Sequence, residues 1–441
     1  MSPTTVGLLM FAAMIALLVL RVPIAAAMFI PGAVGYWVLT SEASLLNLLK
    51  GSAVARLTVY DLSVIPLFLL MGQFATQGGL SRALFQAAAA FIGHIRGGLA
   101  MASVFSAGAF GAVCGSAVAT AATITQVAYP EMRKHGYSGR LSTGTLAVGG
   151  GLGILIPPSV PLVVYAILTE QNIAKLFAAA MIPGVLAMLM YAGVIWLMCR
   201  LQPQLASPSE ALPWRQRWRA FAGVWPILVI FVIVFGGIYG GIFSPTEGAA
   251  VGAVSTFVAG VLRRELTLPA IGRSFLGAAE TSAMVFMIFL GADMMNSTLA
   301  VTQLPMHLAD WVSHLEVSPL LIVACVLLFY VLMGCIMDEL SLVLLTIPVL
   351  FPAIMGLDLW GLGAEAKALW FGILILMTMG TGLISPPVGL NVYVVNGITK
   401  DVPLMETYKG VFPFLASDFV RLFLVLMFPS ISLALVAWLY G

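Results

Sequence analysis

Gly153-Ile154-Leu155-Ile156-Pro157-Pro158-Ser159 interrupts an apolar segment long enough to cross a bilayer, and Gly382-Leu383-Ile384-Ser385-Pro386-Pro387-Val388 interrupts a second one more than two hundred residues later. Proline lacks the backbone donor and clashes with the preceding turn, so a double proline unwinds a helix locally. Unwound backbone survives at membrane depth only where protein covers it or where it lines a cavity. Two such breaks at matching places in two halves point to a binding site near the bilayer midplane.

The composition supports the membrane reading. Of 441 residues, 61% are hydrophobic and 9% charged, and the mean hydropathy is +1.07. A soluble domain carries about 25% charged residues. Spans are expected near 3–20, 23–40, 62–79, 142–169, 176–199, 224–243, 246–262, 281–300, 368–394 and 412–440. No cleavable signal peptide is expected, because Met1 to Leu20 lacks a basic stretch. Two further apolar stretches, 98–130 and 318–355, are too long for one helix and polar in the middle. Each is read as a re-entrant hairpin. The fold class expected is an all-α polytopic membrane protein of about ten crossings plus two hairpins.

Positive charge orients the chain. With both termini outside, fifteen of the 20 basic residues fall on the cytoplasmic side, among them Arg21, Arg133, Arg140, Arg217 and Lys409. Lys50, Arg56, Lys175 and Lys367 fall outside, and Arg421 lies within the last span. The bias fits the positive-inside pattern. The polar stretch 202–219 divides the chain into 1–201 and 220–441. The first part carries hairpin 98–130 and broken helix 142–169; the second carries hairpin 318–355 and broken helix 368–394. An odd number of crossings per half inverts the second half, giving an inverted-topology repeat. Leu67-Phe-Leu-Leu-Met-Gly72 matches Met287-Ile-Phe-Leu-Gly291, and each precedes an amphipathic stretch, 81–97 or 303–317, expected to lie along a membrane surface. The first two spans of each half and the span ending each half are expected to form a scaffold beside the hairpins.

The candidate site follows from the breaks. Gly115 permits a tight turn at the first hairpin tip, with Ser116 and Thr120 offering hydroxyl oxygens. The second tip holds Gly334, Asp338 and Ser341; two adjacent carboxylates in so apolar a stretch are expensive and usually functional. Asp338 is preferred over Glu339, which points elsewhere on a helix. Ile156, Pro157, Pro158 and Ser159 form one break, and Thr381, Ser385, Pro386, Pro387, Gly389 and Asn391 the other. Half-helix C-termini present carbonyls that suit Na⁺, and N-termini present N–H groups that suit a carboxylate. Neutral oxygen ligands favour an alkali cation. Cys114, Cys199, Cys325 and Cys335 form no CxxC pair and are read as packing residues. Glu247 is read as a helix-start carboxylate, and Asp293 as a packing or gating residue. No phosphate-binding loop, metal cluster, cofactor motif or nucleic-acid-binding pattern is present.

Together these residues resemble a family. Pro66-Leu-Phe-Leu-Leu-Met-Gly72, Gly115-Ser-Ala-Val-Ala-Thr120 with Pro130-Glu-Met132, Ile156-Pro-Pro-Ser159, Pro183-Gly184, Pro245-Thr-Glu247, Gly334 with Asp338, and Pro386-Pro-Val-Gly389 look like the large membrane subunit of tripartite ATP-independent periplasmic (TRAP) transporters, of the DctM and SiaM type. The resemblance implies a bacterial inner-membrane permease and Na⁺-driven symport of an organic acid, C4-dicarboxylate or sialic-acid-like. It also implies an elevator mechanism, a small four-helix membrane subunit (DctQ-like) and a periplasmic substrate-binding protein (DctP-like). Because the first span begins near Met1, the small subunit is expected on another chain. The binding protein is expected to dock on 41–61 and 356–367, where Lys50, Arg56 and Lys367 carry charge. Alternatives from the residues alone are a single-component Na⁺- or H⁺-coupled carboxylate carrier, an ion channel, and a membrane enzyme using Asp338 and Glu339.

Overall fold

The computed structural model describes residues 2–314 and 316–441, so Leu315 of the second amphipathic stretch lies outside the described residues. Among the described residues every regular element is helical. Many helix starts carry their own acceptor for the orphan amides of the first turn. Ser138, Asn172, Ser244, Thr267 and Ser318 each accept a bond from the amide three residues on, the capping geometry that serine, threonine and asparagine favour. At Ser244 the cap is reciprocal, with Glu247 returning a bond to the Ser244 amide, as expected for a helix-start carboxylate.

Six helices are long and apolar enough to span a membrane alone, or up to eight spans if two bent pairs are counted. Pro3–Val19 and Ile24–Leu39 are apolar but have only 17 and 16 residues, about 25 Å of helix.

The hairpins are formed by Gly98–Cys114 with Ala117–Lys134, and by Pro319–Gly334 with Glu339–Met355. The broken spans are Gly139–Leu155 with Val160–Leu168, and Ala364–Gly382 with Leu390–Ile398. Each half therefore runs through the same order: a span, a short helix (Leu80–Ile92 or Leu304–Ser313), a hairpin, a broken span and a long closing helix (Ile173–Leu201 or Leu404–Met427). The halves exchange partners. Ile24–Leu39 packs along Leu268–Thr302, while its counterpart Pro245–Leu262 packs along Val64–Gln77. A Cβ at Gly32 would stand 2.8 Å from the Met295 amide nitrogen, and one at Gly291 would stand 2.5 Å from the Ala25 carbonyl oxygen. Small residues let these backbones touch, as membrane helices require in the absence of a hydrophobic driving force.

The structure departs from several sequence expectations. Segment 41–61 is a helix, Glu42–Leu57, followed by a short 3₁₀ turn. It lacks an apolar stripe, so hydropathy alone hides it. The span expected at 281–300 is Leu268–Thr302, a 35-residue helix started by the Thr267 cap. The last span begins at Leu404 and breaks after Met427, because Pro429 drives Phe428 to an extended conformation (φ −124°, ψ 80°). Polar stretch 202–219 carries the start of an amphipathic helix, Trp214–Ala222. Helices Ile173–Leu201 and Leu404–Met427 pack on the broken spans and on each other. They therefore lie with the broken spans, and not in the scaffold expected from sequence. Lys367 is a buried cap rather than a loop residue: its Nζ donates to the carbonyls of Met355, at 3.1 Å, and Leu357 at the end of the second hairpin.

Candidate functional site

Both tips turn at points where the helix has run out of hydrogen-bonding partners. Gly115 takes a left-handed conformation (φ +68°), open to glycine at little cost. Its carbonyl accepts a 3.4 Å bond from the Val160 amide, two residues past Pro158. The second half repeats the bond. The carbonyl of Cys335 accepts at 3.1 Å from the amide of Gly389, two residues past Pro387. Each tip thus satisfies a donor that the double proline left free. Behind the tips the helices touch through glycine: a Cβ on Gly111 would lie 2.6 Å from Gly153, and one on Gly382 would lie 2.7 Å from Gly334. Both Pro-Pro peptide bonds are cis.

The sequence-derived residues fall into three groups. Ser116 and Ser159 cap the half-helices that follow them, accepting from the amides of Ala119 at 3.4 Å and Leu162 at 3.5 Å. Thr381 and Ser385 donate back to the carbonyls of Met377 and Thr381, at 2.9 and 2.7 Å. Lone pairs remain on all four hydroxyls. Thr120 and Asn391 are fully buried, and Thr120 Oγ1 and Asn391 Oδ1 have no hydrogen-bond partner among the described residues. Asn391 Nδ2 donates to the Ala147 carbonyl at 3.3 Å. Gly150 is the one-turn neighbour of Gly153; a Cβ there would lie 2.7 Å from Asn391 Nδ2 and 3.0 Å from the Ala117 carbonyl. The free oxygens of Thr120 and Asn391 therefore border the first turn of the Ala117–Lys134 helix. Buried acceptors without donors cost free energy unless an ion or water meets them.

The two carboxylates of the second tip face different ways. Asp338 is an N-cap. Its oxygens accept from the Ser341 amide at 3.1 Å and from the Ser341 hydroxyl at 2.5 Å, and it is half-buried. Glu339 is buried, lies beside the Ala117 amide of the opposite hairpin, and leaves Oε2 without a partner among the described residues. The signal available in sequence was the Asp-x-x-Ser spacing, which turns the first acid onto its own helix and sends the next one across the interface.

Further contacts hold the halves together away from the tips. On the side that the charge bias makes cytoplasmic, the Tyr129 hydroxyl donates to Asp401 at 2.5 Å and Arg133 stands 3.3 Å from the same carboxylate. These neighbours, Tyr129 foremost, hold the Asp401 carboxyl below its ordinary pKa. Within the bundle Asp418 accepts from Tyr191 at 2.7 Å and from Arg421 at 2.8 Å. Arg56 pairs with Asp293, so it is not a free cation for a docking partner. Asp293 joins the two halves through this ion pair.

Two halves with the same order of elements, paired hairpins and two broken spans among apolar helices define the chain as a polytopic membrane protein. Residues 11–431 match the family described as "Tripartite ATP-independent periplasmic transporter, DctM component", and the chain belongs to that family. It is 37% identical over 383 residues to the C4-dicarboxylate TRAP transporter large permease protein DctM of Pseudomonas aeruginosa, covering 86% of this chain and 87% of that one. It is 30% identical to the 2,3-diketo-L-gulonate large permease YiaN of Escherichia coli, with 86% and 87% covered. It is 28% identical to the sialic acid large permease SiaM of Vibrio cholerae, with 91% and 92% covered. Among solved structures, the Alcanivorax borkumensis YdaH transporter, described as having an unusual topology, superposes with a TM-score of 0.63 over 88% of this chain and 89% of that one at 15% identity. That likeness concerns the fold.

Proposed function

We propose that the chain is the large permease of a Na⁺-coupled importer of an organic acid, a C4-dicarboxylate or a sialic-acid-like compound. In this reading a periplasmic binding protein delivers the acid and a small membrane subunit completes the permease in the inner membrane, with both termini of this chain periplasmic. The observation that carries the reading is the pair of equivalent bonds, Val160 to Gly115 and Gly389 to Cys335. They support a reading in which two half-helix ends and the free oxygens of Thr120 and Asn391 serve one region where a cation and a carboxylate bind together. The names of the relatives favour an acid as solute. Ser116, Ser159, Thr120 and Asn391 would supply neutral oxygens to Na⁺, with Thr381, Ser385, Asp338 and Ser341 around the second break. The hairpins, broken spans and closing helices would move as one body against the scaffold, an elevator motion.

The test is uptake of labelled succinate, malate and N-acetylneuraminate into proteoliposomes holding the chain, the small subunit and the binding protein. Uptake that needs both a Na⁺ gradient and the binding protein is expected. Full uptake by this chain alone would make it a single-component carrier.

A further inference from the structure

The two breaks match in sequence but differ in exposure. Pro157, Pro158 and Ser159 are buried, whereas Pro386, Pro387 and Val388 are exposed. The conformer is therefore asymmetric, with the second break open. Next to the second tip lies a cavity of about 860 Å³ between that tip and the scaffold. Ile336, Met337 and Asp338 form one wall; Phe29 and Met287 belong to the scaffold walls; and Arg21, from the turn between the first two helices, reaches in from the edge.

Arg21 is the one cation lining this cavity. The one acid there, Asp338, is already engaged by both donors of Ser341. No ion pair or hydrogen bond engages the Arg21 side chain among the described residues. Its backbone sits at φ +62°, a conformation that favours glycine, fixed by turn bonds from the Arg21 amide to Leu18 and the Val22 amide to Leu17. Arg21 is exposed at the rim of this mostly apolar cavity, and its planar fork matches a carboxylate. The other large cavity, about 1200 Å³ beside the first hairpin, contains Arg82, but Glu131 and Glu210 line it too and offset that charge.

We propose that Arg21 is a carboxylate subsite on the exit path, holding one acid group of the solute as it leaves the second hairpin tip for the cytoplasm. The proposal rests on the organic-acid reading and on the orientation drawn from the charge bias. Arg21 would act on release, so its loss should weaken the acid from the inside and leave Na⁺ binding alone.

The experiment uses right-side-out membrane vesicles from cells expressing the complete three-component system. Vesicles are loaded with graded concentrations of whichever of labelled succinate, malate or N-acetylneuraminate the wild type takes up, and exchange efflux is measured. For Arg21→Gln the internal concentration giving half-maximal exchange should rise roughly tenfold or more, the scale of a lost charged hydrogen bond. The Na⁺ concentration for half-maximal uptake should stay within twofold. Arg21→Lys keeps the charge that orients the turn but lacks the fork, so a rise of a few-fold is expected; it decides the matter if Arg21→Gln fails to reach the membrane. Internal half-saturation unchanged in the variants that do reach the membrane overturns the proposal. So does a joint loss of acid and Na⁺ affinity, which would mark general disruption of the tip. Were the wild type to take up none of the three acids, the transport reading would fail and the subsite with it; normal wild-type uptake with unchanged variants would sink the subsite alone.

Discussion

The amide of Gly389 donates to the carbonyl of Cys335, 3.1 Å away, across the gap between a broken span and the hairpin that faces it. The bond joins chain segments about fifty residues apart, and it recurs between Val160 and Gly115 in the other half. At its tip each hairpin is joined to its broken span by a backbone bond, so side-chain variation there leaves that bond in place.

The same attachment depends on glycine. A Cβ on Gly382 would lie 2.7 Å from Gly334, whereas nothing lies within 4 Å of one on Gly397. Gly382→Ala should therefore destabilise the purified protein by about 1–3 kcal/mol through overpacking, while Gly397→Ala should not. Thermal unfolding in detergent reads the difference. Equal melting temperatures for the two variants would show that the contact yields without strain.

Ser385→Ala and Ser116→Ala each remove a hydroxyl oxygen from a break or tip without emptying a core position. Both variants should express normally and should raise the Na⁺ concentration for half-maximal uptake by several-fold, on the scale of a lost hydrogen-bond-strength contact. Unchanged Na⁺ dependence in both would move the cation elsewhere.

Glu339 gives a sharper contrast. Its carboxylate is buried beside the Ala117 amide of the other hairpin. Glu339→Gln keeps an acceptor of the same shape there; Glu339→Ala leaves the amide and a cavity. The alanine variant should lose about 1–3 kcal/mol of stability and the glutamine variant much less. An equal loss in the two would mean that charge, and not shape, holds the contact.

Asp401 carries the pH prediction. Its folded pKa is depressed, so its contribution is present above the ordinary carboxylate value of about 3.9 and is lost only as pH falls through the lower folded value. The melting-temperature gap between wild type and Asp401→Asn should be the same at pH 7 and pH 5. A gap that closes at pH 5 would place the folded pKa above the ordinary value.

Orientation is checked by labelling. Lys367 is buried, which makes Asp358, exposed in the loop that precedes its helix, the better reporter. In a background lacking the four native cysteines, Asp358→Cys should react with an impermeant reagent from outside the cell and Arg217→Cys only after lysis. Labelling of both from one side would remove the basis for the cytoplasmic assignment.

Much of this fold could be read before any coordinates. Proline marks its own effect on a helix, so both broken spans are visible as Pro157-Pro158 and Pro386-Pro387. The hairpins show themselves as apolar runs too long for one helix with Gly115-Ser116 or Asp338-Glu339 at the middle. Less legible was anything that depends on direction. Whether Asp338 or Glu339 enters the interface turns on which residue becomes the cap, a difference of one position and about 100° around the helix. The burial of Lys367 depends on the second hairpin ending within reach of its ammonium, and the Arg56 pair depends on a helix that hydropathy does not announce. The partner exchange between halves left no local trace, since it is a relation between surfaces far apart in sequence.

That exchange sets a problem of timing for the ribosome. Ile24–Leu39 enters the membrane early, yet the helix that covers its Gly32 face is some 250 residues downstream. At about 5–20 residues per second, roughly ten to fifty seconds pass between the two. During that interval the notched face is surrounded by lipid or held by the insertion machinery. The hairpin and broken span of the first half can pack on each other at once, but the Gly32 face gains its partner only when the second half arrives.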